Sequence, residues 1–209
     1  MINIITIERE YGCGGGEIAQ LVATRLGWKL WDQKLTEEIS RLAHCPKSVV
    51  EAHEEKNDPL YYRLFKSFMR GSYEGAINAP KLNLVDSETI LRITRRVVEH
   101  AAEKGNCVIV GRGSQQFLKN RQDTLRVFLY APRQNKVDRL IKRGKSEKDA
   151  EELVDSVDRE RADFIQKYFS VDWPDRPIYH ALLNTAIGDE CATNMILSLA
   201  HTYQTGCTP

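Results

Sequence analysis

Apolar positions along the chain switch repeatedly between a continuous run and a helical stripe. Residues 2–7 are apolar and mostly β-branched, which predicts a strand buried on both faces. A glycine-rich turn follows, and then Ile18, Leu21, Val22 and Leu26 fall at helical spacing, predicting a helix over 17–26 that stops at Gly27. Residues 28–31 read as a short second strand, and Asp32 as the cap of a helix with the stripe Leu35, Ile39, Leu42. Pro46 suits the first turn of a further helix running to Lys56. Residues 57–85 are the least regular; their Tyr, Phe and Leu residues predict a short packed helix beneath a Gly/Asn/Pro loop. A long helix is predicted from Asp86 or Ser87, with Ile90, Ile93, Val97, Val98 and Ala101 inside, ending at Gly105. Residues 107–110 are the most apolar strand and run into Gly111-Arg112-Gly113-Ser114. Then come a strand over 125–130, a helix between Pro132 and Gly144, and a helix opened by Ser146 and Asp149 and running to Tyr168. A turn-rich break at 170–177, a strand over 181–185, a helix over 190–200 and a frayed tail at 201–209 complete the reading. Alternating strands and helices predict an α/β domain on a parallel sheet.

Composition narrows the function classes. At 209 residues with no internal repeat, the chain predicts one domain with an insertion. Lys+Arg at 30 against Asp+Glu at 29 argues against a generally basic nucleic-acid coat and against an acidic tail. The apolar runs fall far short of the roughly 20 residues of a membrane span, and the N-terminus reads as a strand rather than a signal peptide. Five cysteines without CxxC predict neither a disulfide framework nor a zinc knuckle, and point to a reducing compartment, the cytoplasm. The five histidines lack ligand spacing, so no protein-held metal is expected.

Three features carry candidate chemistry. The first is the glycine loop between the first strand and helix, Gly12, Cys13, Gly14, Gly15, Gly16, Glu17 and Ile18. Helix-start amides and a positive dipole end suit a phosphate, and glycine lets the backbone approach it. The GxxxxGK[ST] pattern is absent, and Glu17 repels a phosphate if it points into the loop. A turn that merely closes a βα unit is the alternative. Arg9 stands just before the loop and can supply the charge of the missing lysine. The second is Arg112 between two glycines at the C-terminal end of a strand, where open α/β sheets bind ligands; a surface arginine on a turn is the alternative. The third is the set Arg133, Arg139, Arg143, Arg159 and Arg161, with Asp158. Two readings stand for it: a solvated, salt-bridged helix pair, or a lid that brings arginines over a transferring phosphate.

Taken in order, ITIEREYGCGGGEIAQLVATRLGW, CVIVGRGSQQFL, LRVFLYAPRQNKVDRLIKRG and SVDRERADFIQKYF before a final LLNT strand resemble the cytidylate-kinase-like family of nucleoside monophosphate kinases, over roughly residues 2–200. The resemblance implies a three-layer α/β P-loop kinase fold, with a monophosphate-binding insertion at about 33–85 and a helical lid at about 133–177. It implies transfer of the γ-phosphoryl of ATP, with Mg²⁺ held through the phosphates, to a nucleoside monophosphate such as CMP or dCMP. It places residues 12–18 at the ATP phosphates, Asp32, Arg112 and Asp158 at the acceptor, and Arg139, Arg143, Arg159 and Arg161 at the transfer, where Arg9, read from its place before the loop, would join them. The family's loop lysine is missing, and Gly16 stands where a basic residue is often found. A nucleotide-binding regulator without catalysis, or a kinase of another small molecule, are the alternatives.

Overall fold

The structure, a computed structural model, describes residues 1–42 and 87–205. The helix expected from Pro46, the aromatic 57–85 segment and most of the implied insertion lie outside the described residues. Five strands form one sheet: β1 (Ile4–Arg9), β2 (Lys29–Trp31), β3 (Cys107–Val110), β4 (Thr124–Tyr130) and β5 (Ala181–Asn184). Their order is β2-β3-β1-β4-β5, and every pairing is parallel. The helices are α1 (Gly15–Leu26), α2 (Gln33–Leu42), α3 (Ser87–Lys104), a single turn α4 (Ser114–Phe117), α5 (Arg133–Lys142), α6 (Glu147–Phe169) and α7 (Asp189–Thr205).

The apolar runs form the centre because a parallel sheet covered on both faces hides every side chain. All six residues of β1 and all four of β3 are buried. On one face Ile5, Ile7, Val108, Val110, Val127 and Leu129 pack against α1 and α7 through Ile18, Val22, Ala192 and Ile196. On the other, Ile4, Cys107 and Ile109 pack against α2, α3 and α6 through Leu35, Val98 and Phe164. Burying one such aliphatic side chain is worth about 1.5–3 kcal/mol, so the two faces carry most of the fold's stability. A third cluster joins α5 and α6 around Tyr11, through Val137, Leu140, Val154 and Val157. It fixes that helix pair to the loop after β1.

Ser146 caps α6, its hydroxyl accepting the Asp149 amide at 3.1 Å, as its capping-box sequence predicts. The expectation of a frayed tail from 201 needs correction. α7 continues to Thr205, with the Thr202 hydroxyl donating to the Ser198 carbonyl at 2.9 Å and Tyr203 packed against the His180 ring. The α4 turn was not expected either. Gly111, Arg112 and Gly113 all have positive φ, and this left-handed run throws the chain into one helical turn. Among the described residues, no helix is long and apolar enough to cross a membrane, and no disulfide forms: Cys13, Cys107 and Cys191 are free thiols.

Candidate active site

β1 carries the chain to Arg9 at the C-terminal edge of the central strand, and the loop then turns into α1. Gly12 and Gly14 adopt φ of 78° and 83°, which only glycine holds cheaply. Helix α1 begins where the Ile18 amide donates to the Gly14 carbonyl at 3.1 Å. The amides of a first helical turn have no intrahelical acceptor, so Gly16 and Glu17 present theirs at the loop. Ile18 itself is fully buried in the core and anchors the loop from below.

The loop is closed in by arginines. A side chain at Gly14 would meet the Arg139 guanidinium at 2.5–2.9 Å, so that guanidinium lies against the loop backbone. A Cβ at Gly15 would sit 2.8 Å from both Cβ and Cγ of Arg9. The Arg9 stem therefore takes the space a side chain at position 15 would need. The Arg9 head lies against Gly111, where a Cβ would collide with Nη1. One side chain thus spans from the glycine loop to the Gly-Arg turn. Arg139 forms a forked pair with Asp189 at 2.9 and 2.7 Å, which holds its guanidinium above the ordinary arginine range. Arg143 pairs with Glu17. That pairing places the Glu17 charge on the exposed side of α1, so the carboxylate feared as a repulsion is neutralised. Cys13 is buried, its thiol facing the Leu129 carbonyl at 3.7 Å; burial pushes it up to about 12, so it is no nucleophile.

Beside the loop lies a small, half-open pocket lined by Glu8, Arg9, Arg112, Arg161, Phe164 and Trp173, among others. The three arginines are only 5%, 3% and 7% exposed, an arrangement that water cannot neutralise. Burial pulls Arg112 down to about 9, Asp32 opposes this, and the neighbouring Arg9 and Arg161 add to it. Arg161 is lowered in the same way, by burial and then by Arg9. A guanidinium is not deprotonated in proteins near neutral pH, so both are cations.

A hydrogen-bonded chain ties this pocket to α5 and α6. Arg161 Nη1 donates to the Arg9 carbonyl at 2.9 Å and to Asp158 Oδ1 at 3.2 Å. Asp158 Oδ1 also accepts the Tyr11 amide at 2.7 Å, and its Oδ2 accepts Lys136 Nζ at 3.1 Å. Lys136 reaches Glu10 as well, at 2.9 Å. Burial works against the Lys136 charge, but Asp158 and Glu10 hold its ammonium above the usual lysine range.

The expected residues thus divide into two groups at one end of the sheet. Gly12 to Ile18, Arg139 and Arg143 gather on the loop. Arg9, Arg112, Arg161, Asp158 and Asp32 gather at the pocket. Arg159 does not join them: it is exposed on α6 and its charge acts on Asp155. Arg133 likewise spans Asp155 and Glu151 on the surface, so the salt-bridged reading holds for that face and not for Arg161. Sequence reasoning missed Lys136, Glu8 and Trp173. Lys136 lies four residues before Leu140, on the face that helical spacing turns inward, and that was a readable signal. Among the described residues, no cluster of three His, Cys, Asp or Glu forms a metal site.

The model of the cytidylate kinase-like family matches residues 4–187. No curated protein matches the chain. Among solved structures, an uncharacterised protein from Eubacterium ventriosum is similar at a TM-score of 0.69 and 22% identity, covering 97% of this chain and 99% of that one. A shikimate kinase from Acinetobacter baumannii, in complex with shikimate, is similar at 0.54 and 16%, covering 99% and 97%. One from Bacteroides thetaiotaomicron is similar at 0.53 and 15%, covering 96% and 99%. These likenesses establish the three-layer α/β P-loop kinase fold.

Proposed function

Since the chain belongs to the cytidylate kinase-like family, we propose that it transfers the γ-phosphoryl of ATP to a nucleoside monophosphate, CMP or dCMP first among them. The observation that carries this is Arg9, whose stem fills the space above Gly15 and whose head reaches Gly111. A cation at that position serves both sides of a phosphoryl transfer, the glycine loop and the Gly-Arg turn. It stands in for the absent loop lysine, and it accounts for glycine at position 15. Phosphoryl transfer is mostly positioning and charge neutralisation, which buried, pre-set guanidiniums supply without reorganising.

The roles divide as follows. The loop backbone from Gly12 to Glu17 cradles the ATP phosphates, with Arg139 laid over Gly14 and Arg143 at Glu17. Arg112 and Arg161 receive the acceptor phosphate, and Asp32 and Asp158 orient those arginines; Arg159, exposed on α6, takes no part. The acceptor oxygen is already an anion at neutral pH. A P–O bond to ADP breaks as one to the acceptor forms, and no general base is needed. When bound, Mg²⁺ adds charge neutralisation between the phosphates.

A coupled ADP-release assay with Mg²⁺-ATP across CMP, dCMP, UMP and AMP tests this reading. Turnover with a cytidylate above the others is expected; no turnover with any of them, on protein shown to be folded, overturns it. Arg9→Met keeps the stem and removes the charge, and is expected to lower kcat by about 10²-fold. The second reading, nucleotide binding without turnover, is favoured by Gly16 and Glu17, which stand in the loop where a basic residue is often found. Calorimetry showing ATP binding alongside a silent assay selects it.

A further inference from the structure

The pocket at the Gly-Arg turn holds one polar group that the arginine chemistry leaves unused. Trp173 lines it, and the indole Nε1 is buried without a hydrogen-bond partner. Trp173 comes from the turn-rich stretch between α6 and β5, where Gln116 Nε2 donates to Asp175 Oδ2 at 3.1 Å. Its ring meets Phe128 edge-on at 5.4 Å, and Phe128 in turn packs on Tyr179 at 5.2 Å. The indole is therefore held in place by packing and does not depend on its N–H for position. A buried N–H with no acceptor costs about 1–3 kcal/mol, so its retention calls for something that accepts from it.

The pocket's charge says what that acceptor is. Among its lining residues, Arg9, Arg112 and Arg161 face one carboxylate, Glu8, which already accepts the Arg9 amide and Nη1. Asp32 and Asp158 compensate from outside the lining. The lining is thus net positive by two, with apolar walls from Phe164 and Ile165. Such a site favours a compact dianion with several acceptor oxygens over a neutral hydroxyl or a single carboxylate.

We propose that the indole N–H of Trp173 is a specificity determinant of this pocket, donating to an oxygen of a phosphate monoester seated among Arg9, Arg112 and Arg161. This rests on the acceptor side of the proposed kinase reading, but its test needs no turnover. The probe is inorganic phosphate. The chain has three tryptophans, Trp28, Trp31 and Trp173, so a ¹H–¹⁵N spectrum shows three indole signals, and Trp173→Phe identifies the third. Phosphate binding to the unmodified protein, followed by calorimetry, is expected to move the Trp173 indole proton downfield and leave the other two in place. Trp173→Phe is expected to weaken phosphate about tenfold, the loss of one charged hydrogen bond, while leaving thermal stability nearly unchanged. With any acceptor that turns over, the same variant raises KM and spares kcat.

Phosphate that binds without moving the Trp173 signal overturns the proposal, as does a protein that binds no phosphate at millimolar concentration. A Trp173→Phe variant that binds as the unmodified protein does also overturns it. If Trp173→Phe fails to fold, Trp28→Phe and Trp31→Phe assign the other two signals, and the spectrum of the unmodified protein still decides. If the indole signal moves but no acceptor is phosphorylated, the seat stands and the kinase reading fails.

Discussion

Gly15 and Arg9 act as one unit. A methyl at position 15 would lie 2.8 Å from two Arg9 carbons, closer than packed atoms approach. Gly15→Ala is therefore expected to cost about 1–3 kcal/mol, the usual range for overpacking, and to lower Tm by several degrees in thermal melts. Adding Arg9→Ala should recover most of that loss, a coupling that a double-mutant cycle measures. Lys136 is a second such residue, with two carboxylates at 2.9 and 3.1 Å and only 9% of its side chain exposed. Lys136→Met leaves Glu10 without this cation and Asp158 with Arg161 alone, and is expected to destabilise by about 3 kcal/mol in a urea titration. His180 gives a pH dependence. Burial, aided by Arg126, holds its proton affinity below the ordinary value of 6.5. The unfolded chain thus takes up a proton near 6.5 that the folded protein refuses until lower pH. Stability falls as pH drops through 6.5, and His180→Gln should flatten that slope in melts between pH 7.5 and 5.5.

At the scale of elements, the site depends on how α5 and α6 are pinned. Tyr11 inserts between them, and Asp158 takes both the Tyr11 amide and Lys136, so the pair is fixed to the loop after β1. The outer face, with Arg133 on Asp155 and Glu151, is half exposed, and such pairs add at most about 1 kcal/mol. Ser146 contributes from the start of α6. Ser146→Ala removes the acceptor of the Asp149 amide and should cost about 1 kcal/mol, without changing ATP binding measured by calorimetry. The strands and the long helices were readable because each follows one period over many residues. Short elements were not. α4 has four residues and no period, and it exists because three consecutive residues take positive φ. The helical residues beyond 200 were missed because their support comes from outside the segment, from the contact between His180 and Tyr203.

For the whole molecule, the nearly balanced charge of 30 basic and 29 acidic residues conceals a strong local asymmetry. Buried cations concentrate at the C-terminal ends of β1 and β3, next to the loop. Ligand binding should therefore couple to folding. Mg²⁺-ATP at about 100 times its Kd is expected to stabilise by about 2.7 kcal/mol, seen as a rise of several degrees in Tm, and Arg139→Ala should abolish most of that rise. The sequence by itself determined the parallel α/β order, the glycine loop, the Gly-Arg turn and the family likeness, since these rest on local period and on residues adjacent in the chain. Only the tertiary structure decided which charges meet. Arg161 is buried on Arg9 while Arg159, two residues away, faces solvent, because a helix turns about 100° per residue and only one of the two can point at β1. The reason for Gly15 likewise lies in a side chain six residues back, and the pocket joins residues as distant as Glu8 and Trp173. Contacts that close across a sheet leave no periodic trace in the chain, and they are where the chemistry of this protein resides.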